Sequence, residues 1–242
     1  MQRVLAIGGG GFLMEDSPSP IDRLILELTC KPSPRVCFIG TPSGDMPEGI
    51  EKFYSAFPET KCSPSHLAFF RKPSRGSVPL ATFRQHLLQQ DAVFIGGGNT
   101  KSALGVWREW GLDEVLREAY ASGILLSGMS AGAMCWFETG FTDSFWGAGY
   151  QPLPCLGLIK GACAVHYNMD PNRREALHAS VEAGALSAAI AIDDFSAVLF
   201  EGGSLSRVYR WGSGAGAYLV NAYSGKAVEV CCESQLLADF PD

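Results

Sequence analysis

The stretch Ile124-Leu125-Leu126-Ser127-Gly128-Met129-Ser130-Ala131-Gly132 decides the fold of this chain. Its apolar first half is typical of a short buried strand, and GMSAG at 128–132 has the form GxSxG. That form is a sharp strand-to-helix turn, which exposes a serine hydroxyl and points backbone N–H groups toward it. The run predicts a nucleophilic serine at Ser130. It also fits a plain βα turn in which Ser130 only caps the helix.

Short apolar runs alternate with longer segments of helical period before this turn. Five runs predict strands: 3–7, 35–39, 66–71, 92–95 and 124–126. The alternation is typical of a parallel sheet covered by helices on both faces. After residue 187, closely spaced apolar runs with glycine turns predict antiparallel strands at an edge of the sheet. We therefore expect an α/β fold, with one domain over 1–242 and a mostly parallel sheet.

The composition and charge exclude several classes of protein. Apolar residues make up 47% and charged residues 18% of the 242 residues, a balance that permits a sizeable core. The net charge of -6 argues against nucleic-acid and anionic-membrane partners, because both favour a basic face. The N-terminus lacks the apolar region of a signal peptide, and no apolar run approaches the roughly 18 residues of a membrane helix. We expect a cytoplasmic protein.

The eight cysteines contain no CxxC pair and no Cys/His cluster at zinc spacing. We expect them to be reduced, and we expect no metal and no cofactor. Two glycine runs, 8–11 and 96–98, could approach a phosphate, since glycine turns after strands aim N–H groups at negative charge. Neither run continues into GK[ST] or into the third glycine of a dinucleotide site, which argues against nucleotide binding.

A nucleophilic serine needs a base and a group that orients the base. Of the four histidines, His166 stands where the predicted strand 162–165 gives way to a polar loop, the place where α/β proteins position reactive groups. His86 and His178 fit solvated helix faces, and His66 precedes the strands around the serine. His166 is therefore the candidate base, although a structural role also fits it.

Two neighbouring carboxylates could orient this histidine. Asp193 and Asp194 follow the apolar run 188–192, so we expect one side chain to face the site and the other to face solvent. Glu138 and Asp143 are rivals that follow Ser130 closely. We expect Glu138 on the helix that leaves the serine.

With these residues and GGGNT at 96–100 assembled, the chain resembles the peptidase E family of serine peptidases, relatives of class I glutamine amidotransferases and cyanophycinases. The likeness covers most of the length: the glycine-rich first turn, GGGNT, SAGA at 130–133, His166 and the segment before Ala197. The chain order serine, histidine, aspartate argues against an α/β-hydrolase, in which the acid precedes the histidine.

The resemblance implies a class I glutamine amidotransferase-like fold and assigns roles within the site. Ser130 would be the nucleophile and His166 the general base, and the N–H groups of Gly98 and Ala131 would form the oxyanion hole. Asp194 stands where family members that cleave Asp-X dipeptides carry a glutamate. Being one methylene shorter, it requires a closer backbone.

The resemblance also implies substrate contacts. Arg173 and Arg174 stand near the start of the predicted helix after the histidine, where the dipeptidases use an arginine to bind the substrate's aspartate. Asn99 of GGGNT is a further expected substrate contact. The loop 167–172 is shorter than in those enzymes, and together with the changed acid this leaves Asp-X specificity open.

We therefore expect a serine peptidase that hydrolyses small peptides through an acyl-enzyme. Two alternatives remain: a cyanophycinase-like hydrolase or esterase on the same fold, and a ligand-binding homologue with little turnover. Trp107 and Trp110 belong to an apolar set that fits either the core or a homodimer face.

Overall fold

The computed structural model describes residues 1–16 and 19–237 of the chain. The strands are β1 (Arg3–Gly9), β2 (Arg35–Ile39), β3 (Ser63–Leu67), β4 (Ala92–Ile95), β5 (Leu125–Met129), β6 (Phe137–Thr142), β7 (Gln151–Pro154), β8 (Ile159–Ala164), β9 (Ala188–Ile192), β10 (Ser196–Glu201), β11 (Ser204–Arg210), β12 (Ala217–Tyr223), β13 (Lys226–Cys231) and β14 (Gln235–Leu236). The helices are α1 (Pro20–Leu28), α2 (Pro47–Ala56), α3 (Phe83–Leu87), α4 (Thr100–Trp110), α5 (Leu112–Ala121), α6 (Ala131–Met134) and α7 (Pro171–Glu182).

The larger sheet has eight strands in the order β14-β11-β10-β1-β5-β4-β2-β3. The five strands from β1 to β3 in that order run parallel, and β10 pairs antiparallel with β1. Val4 of β1 packs in one core with residues of α4 and α5, whereas its neighbour Leu5 packs in another with residues of α1 and α2. Since successive side chains of a strand point to opposite faces, helices cover both faces of this sheet, as predicted.

A second sheet has six strands in the order β13-β12-β9-β8-β6-β7. The sequence predicts the late antiparallel strands at one sheet edge, but the structure divides them between the sheets. β10 and β11 extend the larger sheet, and β12 and β13 extend the smaller one. Leu177 and Val181 of α7 pack on one face of the smaller sheet, against Ala164 and Ala191. The short turn 193–195 carries the chain from β9 in one sheet to β10 in the other.

The predicted strand at 66–71 was wrong in its bounds, because β3 ends at Leu67. Beyond it, the N–H groups of Phe69 and Phe70 donate to the carboxylate of Asp45 at 2.6 and 2.9 Å. A side chain therefore takes up these backbone donors in place of a neighbouring strand.

No helix in residues 1–16 and 19–237 is long and apolar enough to cross a membrane. The cysteines are all free. Four of them are buried: Cys37, Cys62, Cys135 and Cys163.

Candidate active site

Ser130 lies in a strained turn between β5 and α6. Its backbone has φ 59° and ψ -115°, a left-handed conformation that costs a non-glycine residue about 1–3 kcal/mol. The flanking glycines make the turn possible. A Cβ on Gly132 would lie 2.1 Å from the carbonyl oxygen of Ile95, and one on Gly128 would lie 2.3 Å from that of Gly132. The GxSxG run is therefore a steric requirement of this turn.

His166 lies two residues after the end of β8 and faces Ser130. Its Nε2 lies 2.8 Å from Ser130 Oγ, and its Nδ1 lies 2.5 Å from Asp194 Oδ1. The Asp194 side chain is 2% exposed and the imidazole 24% exposed. A carboxylate beside Nδ1 selects the tautomer with a proton there, which leaves the Nε2 lone pair to accept the serine proton. The structure thus brings the three predicted residues together in one hydrogen-bonded chain.

The backbone around Asp194 lies close to the end of β1. Phe195 N–H donates to the carbonyl oxygen of Gly9 at 2.8 Å, and Asp194 N–H donates to Asn168 Oδ1 at 2.9 Å. A Cβ on Gly9 would lie 2.1 Å from Asp194 Oδ1 and 2.9 Å from His166 Nδ1. Glycine at position 9 therefore permits the close approach that a short aspartate side chain needs.

Asp193 does not face solvent, and that expectation is wrong. The residue is 2% exposed, and its Oδ2 accepts a hydrogen bond from Gly216 N–H at 3.0 Å. Burial raises the pKa of its carboxyl group. The side chain is enclosed because the turn 193–195, which follows β9 of the smaller sheet, is hydrogen-bonded to Gly216.

The GGGNT turn lies against the serine. A Cβ on Gly97 would lie 3.2 Å from Ser130 Cβ, and one on Gly98, which has φ 135°, would lie 2.1 Å from the carbonyl oxygen of Pro42. Within residues 1–16 and 19–237, neither Gly98 N–H nor Ala131 N–H has an acceptor. Both donors are therefore unpaired in this part of the chain, and their assignment to an oxyanion hole stays a prediction.

Asn99 caps α4. Its Oδ1 accepts from Ser102 N–H at 2.9 Å, and its Nδ2 donates to the carbonyl oxygen of Ser144 at 3.3 Å. Both ends of the amide are therefore engaged in the fold. Contact between Asn99 and a substrate stays a prediction.

The two arginines after His166 are engaged away from the serine. Arg173 is buried, donates to the carbonyl oxygen of Val165 and stacks on Tyr150, with 4.6 Å from its guanidinium carbon to the ring centre. Arg174 pairs with Glu229 at 3.1 Å. Neither guanidinium lines the cleft beside Ser130. Their roles in substrate binding stay predictions.

The rival acids lie elsewhere. Glu138 is in strand β6, so its predicted place on the helix after the serine was wrong. That helix, α6, has only four residues and ends at Met134. The Glu138 carboxylate accepts from Gly161 N–H at 2.8 Å. Asp143 lies 3.8 Å from Arg173 and is largely exposed.

The other three histidines have partners outside the triad. His66 is buried against Tyr54 and Ser77, with 2.9 Å to each hydroxyl oxygen. His86 is half-buried and lies 2.9 Å from Ser65 Oγ, and burial lowers the pKa of both His66 and His86. His178 lies 3.1 Å from Glu229 Oε2.

A cleft of about 490 Å³ opens beside Ser130 and His166. The glycines of GGGNT form part of its floor, and the 3-10 turn Gly11–Leu13 and helix α2 contribute to its walls. Cavities of this size are typical of sites for small ligands. Across residues 1–16 and 19–237, no group of three or more His, Cys, Asp or Glu side chains is arranged to hold a metal ion.

Comparison with known proteins now places the chain in a family. The model of peptidase family S51 matches residues 4–208. The chain belongs to peptidase family S51, the peptidase E family. It is 39% identical over 231 residues to YgaJ, an uncharacterised peptidase of Bacillus subtilis strain 168, covering 95% of this chain and 96% of the relative.

Two solved structures share the S51 fold. A peptidase from an acI-B1 actinobacterium superposes with a TM-score of 0.67 at 15% identity, over 95% of this chain and 94% of the other. A putative peptidase E protein from Listeria monocytogenes EGD-e superposes with a TM-score of 0.64 at 18% identity, over 88% of this chain and all of the other. The predicted fold class is confirmed, and the protein is a serine-type peptidase of the S51 family.

Two parts of the candidate site have no clear signal in the sequence. Gly9 belongs to the glycine-rich first turn that carries part of the family resemblance, but the sequence gives no signal that this glycine lies against the acid of the triad. The cleft walls at Met14 and Met46 carry no motif at all. Met14 and Met46 lie near Ser130 only because the tertiary fold brings these distant segments together.

Proposed function

We propose that the protein hydrolyses small peptides through an acyl-enzyme formed on Ser130. His166 is the general base, and Asp194 orients the imidazole and stabilises its protonated form. The observation that carries this proposal is the continuous chain of hydrogen bonds, 2.8 Å from Ser130 Oγ to Nε2 and 2.5 Å from Nδ1 to Asp194 Oδ1. A hydroxyl within reach of an oriented base is the requirement for a serine nucleophile.

The reaction follows from this arrangement. Ser130 Oγ attacks the peptide carbonyl carbon while its proton passes to His166 Nε2, and the oxyanion accepts hydrogen bonds from Gly98 and Ala131 N–H. The carbon–nitrogen bond then breaks, and the imidazolium protonates the departing amine. A water molecule next attacks the ester and gives its proton to His166. The acid product leaves, and Ser130 regains its proton.

The size of the cleft supports short peptides as substrates. A cleft of about 490 Å³ beside the serine is large enough for the few side chains of a short peptide. Membership of a peptidase family supports peptides over other acyl compounds.

The test is Ser130→Ala compared with the wild type on dipeptides, tripeptides, isopeptides and p-nitrophenyl esters. We expect kcat/KM on every cleaved peptide to fall at least ~10³-fold, and a fluorophosphonate to label the wild type but not the variant. Ser122→Ala, at an exposed serine at the end of α5, is the matched control. Unchanged peptide hydrolysis in Ser130→Ala would refute the mechanism. Ester turnover without peptide cleavage would show an esterase, and wild type that neither reacts nor labels would show a binding protein.

A further inference from the structure

The cleft beside Ser130 is lined mainly by apolar side chains. These are Leu13, Met14, Phe38, Met46 and Met129. Phe38 and Met129 are buried at the base, whereas Met14 is 44% and Met46 49% exposed. Met14 and Met46 together present exposed apolar surface to the cleft, and an apolar side chain bound there would remove that surface from water. Methionine adapts its shape to apolar partners of different form, so this wall fits a large apolar side chain.

The cleft contains little charge that could hold an acidic side chain. Among its described lining residues, the carboxylate and ammonium groups belong to Glu48 and Lys52, one turn apart on α2. Lys52 Nζ donates to the carbonyl oxygen of Leu13 at 3.4 Å. An aspartate in the cleft would lose water among methionines and would also meet the negative charge of Glu48.

The arginines that could recognise an aspartate are committed to the fold. Arg173 is buried and bonded to the Val165 carbonyl, and Arg174 is paired with Glu229. Releasing Arg173 would leave the buried Val165 carbonyl without this donor, and releasing Arg174 would remove the guanidinium from Glu229, which also contacts Tyr167 and His178. Either guanidinium could therefore bind a substrate carboxylate bidentately only by giving up its contacts within the protein.

We propose that the cleft formed by Leu13, Met14, Phe38, Met46 and Met129 binds a large apolar side chain, such as leucine, methionine or phenylalanine, on a residue next to the scissile bond. This inference rests on the proposed function, because it takes Ser130 as the nucleophile. It makes the protein a peptidase for apolar residues and not for aspartate.

The first experiment compares two dipeptide series, X-Ala and Ala-X, with X as Leu, Met, Phe, Asp or Lys. An apolar pocket discriminates by about 10- to 200-fold through differences in buried apolar surface. We expect kcat/KM for Leu, Met or Phe to exceed that for Asp and for Lys by at least ~10-fold in one of the series. Equal or faster cleavage with Asp would overturn the inference.

The second experiment places a charge in the wall. Met46→Glu changes a half-exposed side chain just before α2, so the fold should tolerate it. We expect kcat/KM on the best apolar dipeptide to fall at least ~10-fold, with fluorophosphonate labelling of Ser130 within about 3-fold of wild type. Leu236→Glu, an exposed apolar residue of β14 that does not line the cleft, is the matched control and should leave both unchanged. Apolar cleavage unchanged in Met46→Glu would contradict the inference.

A third variant, Lys52→Gln, tests whether the Lys52 ammonium binds an acidic side chain in the cleft. If Lys52→Gln abolished an Asp-X activity of the wild type, the cleft would be an acid-binding site and the inference would be wrong. Labelling distinguishes the two failures. Absence of both labelling and hydrolysis in the wild type would refute the proposed function, whereas labelling with a preference for Asp would refute only the apolar specificity.

Discussion

The two sheets contribute different parts of the candidate site. The eight-stranded sheet carries Ser130 at the end of β5 and Gly98 just after β4, and helices cover both of its faces. The six-stranded sheet carries His166 after β8 and Asp194 after β9, and its strands β12 and β13 leave Leu219 and Val230 exposed. The nucleophile and its base thus stand on separate sheets. Their 2.8 Å contact depends on how the sheets meet.

The end of β1 is where they meet. Ser130 N–H donates to the carbonyl oxygen of Ile7 at 3.1 Å, and Phe195 N–H donates to that of Gly9 at 2.8 Å. The end of β1 therefore holds both the GxSxG turn at Ser130 and the turn 193–195 that carries Asp194. Variants that act on one sheet, on the other or on this junction separate their contributions.

Asp194→Asn should have the largest effect, because it changes the smaller sheet's contribution while keeping the shape of the side chain. An asparagine favours the wrong imidazole tautomer, so we expect kcat to fall about 10³- to 10⁴-fold with little change in KM. Steady-state kinetics on the best dipeptide measures this. Asp193→Asn, which alters the neighbouring carboxylate that bonds Gly216, is the control. A loss below 10-fold in Asp194→Asn would show that another group orients His166.

Gly9→Ala should break the junction between the sheets. The new methyl group would lie 2.1 Å from Asp194 Oδ1, so the acid or the imidazole must move. Misplacing a catalytic group by about 1 Å costs on the order of 100-fold in rate. We expect such a loss in kcat, with a far-ultraviolet circular dichroism spectrum like that of the wild type. Full activity in a folded Gly9→Ala protein would mean that the close approach is not required.

Asp22, in helix α1 on the larger sheet, is a buried carboxyl group outside the triad. Burial raises the pKa of its carboxyl from 3.8 to about 7, and its Oδ1 accepts from Phe12 N–H at 3.2 Å. The folded state therefore binds this proton more tightly than the unfolded chain. Its contribution to the free energy of unfolding falls as pH rises from about 4 to about 7, by up to about 1.4 kcal/mol per pH unit.

Asp22→Asn should remove this pH dependence, since the amide stays neutral and keeps an acceptor for Phe12 N–H. Urea unfolding at pH 5 and pH 8 measures the difference in both proteins. We expect the wild type to lose more stability than the variant between these pH values. Identical losses would show that Asp22 does not titrate in this range.

Gly105→Ala should have the smallest effect and in the opposite direction. Gly105 is exposed within α4, and a Cβ there would meet no atom within 4 Å. Alanine is favoured over glycine in a helix interior by about 0.5–1 kcal/mol. We expect a gain of that size in the free energy of unfolding and unchanged kcat, measured by urea unfolding and dipeptide hydrolysis. A loss of stability would indicate a contact that Gly105 makes possible.

Much of the larger sheet could be predicted from local patterns. Four of the five early runs predicted as strands match observed strands to within a few residues, because a strand buried on both faces is a continuous apolar run. The fifth failed at its far end, where Asp45, more than twenty residues away, takes the backbone donors of Phe69 and Phe70. The residues next to Phe69 and Phe70 in the sequence do not predict such a bond.

The sequence by itself determined the GxSxG turn, the order of Ser130, His166 and Asp194, and the α/β class. These follow from steric limits on small residues and from hydrophobic periodicity, which act between neighbours along the chain. Only the tertiary structure decided that the late strands divide between two sheets, that Asp193 is buried, and that Arg173 and Arg174 are bonded away from the cleft. Those outcomes depend on contacts between distant segments, because hydrogen bonds and close packing are set by which surfaces meet in space.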